Sequence, residues 1–297
     1  MVAEEMVYGV GPSKIDMAFE RLGDPRHPPV LLIMGGGAQL VNWPDGFCAE
    51  LVERGLHVIR FDNRDAGLST HFSQEPDFAA AMAGDFTTVP YTLSDMAADT
   101  VGLLDALGYS SAHLVGASQG GMIAQTVAIE YPDRVRSLTS MMSTTGNPEV
   151  GRTDMVAFGS QGAPPEDRAG YVDWRVRIMR VLGSPGFPFD AEAAAQVAGR
   201  AWDRDHDGSA MLRQAVAVLA SGDRTDRLRE LTVPTLVMHG TDDRVCDISG
   251  GRATAAAIEG ARLEVFEGMG HSLPRQLWGS FADHITGLIL LSRRKFL

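Results

Sequence analysis

Cysteine is scarce in this chain of 297 residues: Cys48 and Cys246 are the only two. They stand far apart and have no metal-ligand spacing. Two thiols do not make a disulfide framework either, which points to a reducing, cytoplasmic compartment. Long apolar runs are missing too. No stretch reaches the roughly 20 residues that span a bilayer. Met1 to Val10 carries Glu4 and Glu5 and no apolar core, so it does not read as a secretory signal. Stable membrane insertion is therefore not expected. Positive charge is in deficit, with a net charge of −12, which argues against nucleic acid or an anionic membrane as partner. Internal repeats and low-complexity tracts are absent. The glycine-rich stretch Gly35-Gly36-Gly37 is not followed by Gly-Lys-Ser/Thr, so it is not a phosphate-binding loop.

What is present is a large apolar fraction, 44% of residues, in a chain long enough for one large domain or a domain with an insertion. Apolar strand-like runs alternate with helical patterns. Residues 6–24 read as an antiparallel edge hairpin. Strands are predicted at 29–34, 57–62, 111–117, 135–142, 234–239 and 261–266. Helices are predicted at 44–54, 92–107, 119–131, 249–259 and 276–292. This order implies an α/β fold with a mostly parallel eight-stranded sheet and helices on both faces. Residues 148–224 lack a buried-strand run and read as helices near 152–160, 167–182, 190–204 and 208–221. They form a helical cap inserted after strand six, with 1–147 and 225–297 as the core. Phe72 to Pro90 reads as an irregular loop. Ile285 to Leu291, followed by Arg293, Arg294 and Lys295, reads as a last helix with basic residues at its dipole-favoured end.

The densest chemical signal is Gly116-Ala117-Ser118-Gln119-Gly120. An apolar strand precedes it and a helix follows it. A serine in a turn this tight is strained, and its hydroxyl stands clear of the sheet. Side chains two positions before and after would collide with the neighbouring elements, hence the glycines. Serine alone is a weak nucleophile and needs a base, itself oriented by a carboxylate. After strand 234–239 come Asp242 and Asp243, either of which can serve. After strand 261–266 comes Gly268-Met269-Gly270-His271, a histidine in a glycine-rich loop. The other histidines read as structural: His57 and His113 as half-exposed strand residues, His27 and His206 as loop residues, His284 as a helix residue. His239 reads as a packing or supporting neighbour of the site. Asp99 and Asp105 read as solvated helix residues. An oxyanion needs two donors. The N–H of Gln119, next to the serine, is one candidate. Gly36, in the loop after strand 29–34, is the other.

On these residues the chain resembles the α/β-hydrolases, and within them the subgroup of aclacinomycin methylesterase-like bacterial esterases. The likeness runs through Leu32 to Gly36, Asn42-Trp43-Pro44, Leu56 to Thr70, the elbow, Val233 to Val237 and Gly268 to His271. Met34-Gly35 stands where many members have His-Gly. The resemblance implies chain order serine, acid, histidine, and favours Asp243 as the acid, leaving Asp242 to cap the next turn or meet Arg244. It implies a serine hydrolase cleaving a carboxylic ester of a small-to-medium apolar substrate through an acyl-enzyme, with no cofactor and no metal. Serine at the elbow, rather than aspartate, argues against dehalogenase or epoxide-hydrolase chemistry. Thioesterase, lipase or phospholipase, carbon–carbon hydrolase and perhydrolase activities use the same triad and stay open, as does a non-catalytic binding protein on this fold. Met155, Phe158, Trp174 and Trp202 in the cap are candidate pocket residues. The sequence leaves the oligomeric state open, a homo-oligomer included.

Overall fold

Three apolar runs form the middle of the sheet. Pro29–Ile33 (β3), His57–Phe61 (β4) and Ala112–Ala117 (β5) are buried at every position, the pattern of parallel strands covered on both faces. Their side chains alternate between two cores. Leu31, Ile33, Ile59, Phe61 and Leu114 face one cluster, while Val30, Leu32, Val58 and Val115 face another. The computed structural model describes residues 3–159 and 162–293. Among these, eight strands make one sheet in the order β1-β2-β4-β3-β5-β6-β7-β8. Here β1 is Glu5–Val10, β2 Ile15–Leu22, β6 Val135–Met141, β7 Thr235–Gly240 and β8 Arg262–Phe266. The β1–β2 hairpin pairs antiparallel to β4, and every pairing from β4 to β8 is parallel. All the loops that follow β3 to β8 therefore open at one edge, the edge where open α/β sheets place their sites.

The helices α1 (Asp45–Glu53), α2 (Phe78–Met82), α3 (Leu93–Ala106) and α4 (Gln119–Glu130) precede β6. Between β6 and β7 run α5 (Met155–Gly159), α6 (Arg168–Leu182), α7 (Ala191–Arg204), α8 (Ala210–Ser221) and the single turn α9 (Thr225–Leu228). After β7 and β8 come α10 (Ile248–Ala257) and α11 (Trp278–Arg293). Helices α1 and α11 cover one face, where Phe47 and Phe281 are fully buried. Burying a side chain of that kind contributes about 1.5–3 kcal/mol. Helices α3 and α4 cover the other face. The start of α3 is set by a capping box: Thr92 N–H donates to Asp95 Oδ2 at 2.8 Å, and the Thr92 side chain accepts from the Asp95 backbone.

Four expectations are corrected. His57 and His113 are buried, not half-exposed, because both faces of the central strands are covered. Asp99 is buried as well; Arg64 Nε reaches its Oδ2 at 2.6 Å and fixes it as half of an internal ion pair. The 72–90 segment is not wholly irregular: it contains α2, whose first turn is capped by Asp77 Oδ1 accepting the Ala80 N–H at 2.9 Å. The run 111–117 begins one residue late, at Ala112. The side chains of Phe158 and Arg293 and the residues Arg294 and Lys295 lie outside what the structure describes.

A buried loop after β4 receives the α5–α8 segment. Asp62 Oδ2 takes Arg204 Nη2 of α7 at 2.7 Å, and Asp65 Oδ1 takes Arg213 Nη2 of α8 at 2.9 Å. Both carboxylates are shut off from solvent. Removing one member of such a pair strands the other charge, which is why such posts hold strongly.

Candidate active site

Ser118 joins β5 to α4 with φ 57° and ψ −124°, a region L-residues avoid and occupy chiefly where the surroundings force them. The surroundings do so here. A Cβ on Gly116 would run into the Gly120 carbonyl, and one on Gly120 into the Ile33 carbonyl. The strand, the turn and β3 are packed backbone to backbone. Ser118 is the N-cap of α4, yet its side chain makes no capping hydrogen bond. Serine at that position ordinarily spends its oxygen on the helix. Here the hydroxyl is held away from it.

The loops beside it are tied together at the same edge. Ser118 N–H donates to Met141 O at 2.9 Å, Met142 N–H to Met238 O at 2.9 Å, and Asp242 N–H to Met269 O at 2.9 Å. These links run from the elbow through the ends of β6 and β7 to the loop that carries His271. In that loop His271 Nδ1 lies 2.8 Å from Asp243 Oδ2. Asp243 is buried, and its Oδ1 accepts the Val245 and Cys246 N–H groups, each at 2.9 Å. Three bonds thus fix one carboxylate. Asp242 is exposed and accepts Thr241 Oγ1 at 2.6 Å, while Arg244 pairs with Asp154 at 2.8 Å. Asp242 therefore faces neither His271 nor Arg244.

The structure brings Asp243 and His271 into contact. It draws no hydrogen bond from the Ser118 hydroxyl or from His271 Nε2 to any described residue. Catalytic bonds of this kind are commonly long without substrate and tighten with it. His239 is fully buried with Nε2 2.8 Å from Cys246 O and 3.6 Å from Asp243 Oδ2. Burial lowers its pKa below the ordinary histidine value, which favours the neutral ring. A neutral His239 donates from Nε2 to Cys246 O and leaves Asp243 to His271. Burial also pushes the neighbouring Cys246 thiol up, which keeps it inert.

Two candidate oxyanion donors converge on this edge. Gln119 is the first residue of α4, where an N–H has no acceptor within the helix. The Gly36 N–H makes no hydrogen bond among the described residues. Neighbouring Gly35 is in close contact with the elbow: a Cβ there would lie 2.9 Å from Ser118 Cβ. The arrangement can hold negative charge that develops beside a serine oxygen.

The histidine loop leans on the turn after α6. His271 N–H donates to Leu182 O at 3.0 Å, Gly270 N–H to Ser184 Oγ at 3.0 Å, and Gly186 N–H to Gly268 O at 2.8 Å. Ser184 Oγ and Ser272 Oγ are 2.7 Å apart. Sequence reasoning missed Ser184, since an isolated serine in a turn carries no pattern. Of the candidate pocket residues, Trp202 stacks on His206 at 4.3 Å between centroids and lies 4.9 Å from Tyr171. Trp174 lies 5.8 Å from Tyr171. Met155 is largely exposed. Met211 of α8, by contrast, lies against the loop after β3: a Cβ on Gly37 would be 3.1 Å from Met211 Cγ.

Comparison with known proteins agrees with this fold. A family model described as alpha/beta hydrolase fold matches residues 28–274. Rhodomycin D methylesterase DnrP of Streptomyces peucetius is 32% identical over 281 residues, covering 86% of this chain and 88% of that protein. Rhodomycin D methylesterase DauP of Streptomyces sp. strain C5 is 31% identical with the same coverage. Among solved structures, the esterase RhEst1 from Rhodococcus sp. ECU1013 superposes with a TM-score of 0.74 at 21% identity, over 96% of this chain and 98% of that one. That last likeness speaks to fold alone. No helix among the described residues is long and apolar enough to cross a membrane.

Proposed function

The chain belongs to the alpha/beta hydrolase fold family, its activity is that of a carboxylic ester hydrolase, and we propose that it works through Ser118, His271 and Asp243. The observation that carries this reading is the 2.8 Å contact between Asp243 and His271, at the sheet edge that also carries a serine whose hydroxyl the helix does not use. Asp243 holds the Nδ1 proton of His271 and leaves Nε2 free to act as base. His271 takes the Ser118 proton as Oγ bonds to the ester carbon. The carbonyl oxygen becomes an oxyanion and rests on the N–H groups of Gly36 and Gln119. Collapse breaks the bond to the alcohol oxygen, and His271 returns its proton to the departing alcohol. Water then attacks the acyl-enzyme, giving its proton to His271, and the acid leaves as Ser118 recovers the proton.

Residues 148–224 serve as the cap over this centre. Met211 forms the wall beside the oxyanion loop, and Trp174 and Trp202 with Tyr171 form an outer part. An apolar wall suits a bulky apolar acid esterified to a small alcohol, in keeping with relatives named as methylesterases. The test is a panel of methyl esters of polycyclic aromatic acids, short and long nitrophenyl esters, acyl thioesters and phospholipids. The reading expects the highest kcat/KM on a methyl ester of an apolar acid. A preference for phospholipid over every soluble ester supports lipase chemistry instead, and the absence of turnover with stoichiometric binding supports a binding protein.

A further inference from the structure

We propose that Gln214, on helix α8 of the inserted segment, is a positioning residue that sets the oxyanion loop. The inference rests on the esterase reading above and adds to it a part outside the triad. Gln214 is almost wholly buried, at 1% exposure. Its Oε1 accepts the Gly37 N–H at 2.8 Å. Its Nε2 donates to Arg64 O at 2.7 Å and to Asp65 O at 3.3 Å. Two carbonyls on one side and an N–H on the other fix the amide in a single orientation. The anchor end is rigid, because Arg64 is paired with Asp99 and Asp65 with Arg213, all four buried.

The held end is the loop that carries the candidate donor. Gly37 has φ +64°, and its N–H is spent on Gln214. Two residues earlier, Gly35 O accepts the Ala38 N–H at 3.3 Å. In a trans peptide the C=O and N–H point in opposite directions. The Gly36 N–H is therefore aimed away from Ala38 and has no acceptor among the described residues. Gln214 also meets the second donor residue: its own backbone oxygen accepts Gln119 Nε2 at 3.2 Å. The Gln119 amide in turn lies against Gly36, where a Cβ would be 2.5 Å from Gln119 Oε1. The Gln214 side chain thus fixes the loop that carries the Gly36 donor, and its backbone oxygen holds the Gln119 side chain against that loop, before substrate arrives; such preorganisation is what oxyanion stabilisation requires.

The experiment compares wild type with Gln214→Leu and Gln214→Glu on one soluble chromogenic ester. Rates are expressed per active serine titrated with a fluorophosphonate, so that unfolded protein does not count. Gln214→Leu removes the acceptor and both donors at similar volume. Its kcat is expected to fall about 100-fold, the scale of a misplaced catalytic group. KM stays within about threefold, since only transition-state binding is lost. The rate of phosphonylation falls in parallel with kcat. Gln214→Glu keeps an oxygen for the Gly37 N–H and retains more kcat than the leucine variant. A Gln214→Leu enzyme with wild-type kcat per active serine overturns the inference. So does a loss expressed only in KM or melting temperature, or an equal kcat loss in both variants. A wild-type protein that neither turns over esters nor takes up the phosphonyl group refutes the esterase reading, and this inference with it.

Discussion

Replacing Asp243 by asparagine separates a catalytic carboxylate from a merely buried one. The substitution keeps shape and removes charge. Oδ1 now accepts the Val245 and Cys246 N–H groups at 2.9 Å each. An asparagine can satisfy both only if its oxygen takes that place, because the opposite flip would set donors against donors. Its NH₂ group must then face His271 Nδ1, where the carboxylate oxygen now stands at 2.8 Å. An NH₂ facing Nδ1 demands the tautomer with the proton on Nε2. The base lone pair toward Ser118 disappears while the loop stays in place. Serine proteases lose about 10⁴ in kcat from this inversion, equivalent to about 5 kcal/mol of transition-state stabilisation. The assay is kcat on a chromogenic ester beside a thermal melt. Asp243→Asn should lose roughly 10⁴ in kcat and melt within a few degrees of wild type. Asp242→Asn, at an exposed side chain bonded among the described residues only to Thr241, should change kcat less than about threefold, as surface changes usually do. A tenth or more of the activity surviving in Asp243→Asn, or the larger loss falling on Asp242→Asn, would refute the assignment.

Further outcomes are expected elsewhere. Ser184→Ala removes the acceptor for Gly270 N–H and the partner of Ser272; kcat should fall about tenfold with KM little changed if it positions His271, and Ser184→Thr should recover most of it. Wild-type kcat in Ser184→Ala would leave Ser184 a packing residue. Burial lowers the His57 pKa below the ordinary histidine value of about 6.5. The unfolded chain therefore binds the extra proton first: stability from this group is full above about pH 6.5 and is lost as pH falls through and below it. His57→Phe should show a smaller fall in melting temperature between pH 7.5 and pH 5.5 (about two units across that value) than wild type, and an identical fall would discount His57 as a contributor.

The parts of this molecule legible in sequence are those whose physics is local. β3 and β5 announce themselves because a parallel strand covered on both faces is mostly apolar. The elbow does so because two backbones leave no room for a side chain at Gly116 and Gly120. His271 was legible from its loop and its place after β8. Partnership across the chain was not legible. Asp99 read as solvated because its cation, Arg64, is 35 residues away. His57 and His113 read as half-exposed because the helices that cover them come from other segments. Gln214 carries neither charge nor motif; only the meeting of α8 with the loops after β3 and β4 makes it matter. Resemblance, rather than spacing, separated Asp243 from Asp242, and the contact with His271 lies on the same side of that choice.

The central claim is that Ser118 is the nucleophile, and the most direct test is mass spectrometry of the protein after reaction with a fluorophosphonate. One adduct per chain is expected, on the peptide containing Ser118. It should form much more slowly in His271→Ala and not at all in Ser118→Ala, which should also lose ester turnover by several orders of magnitude. An adduct on Ser143 or Ser272, or full turnover by Ser118→Ala, would contradict it.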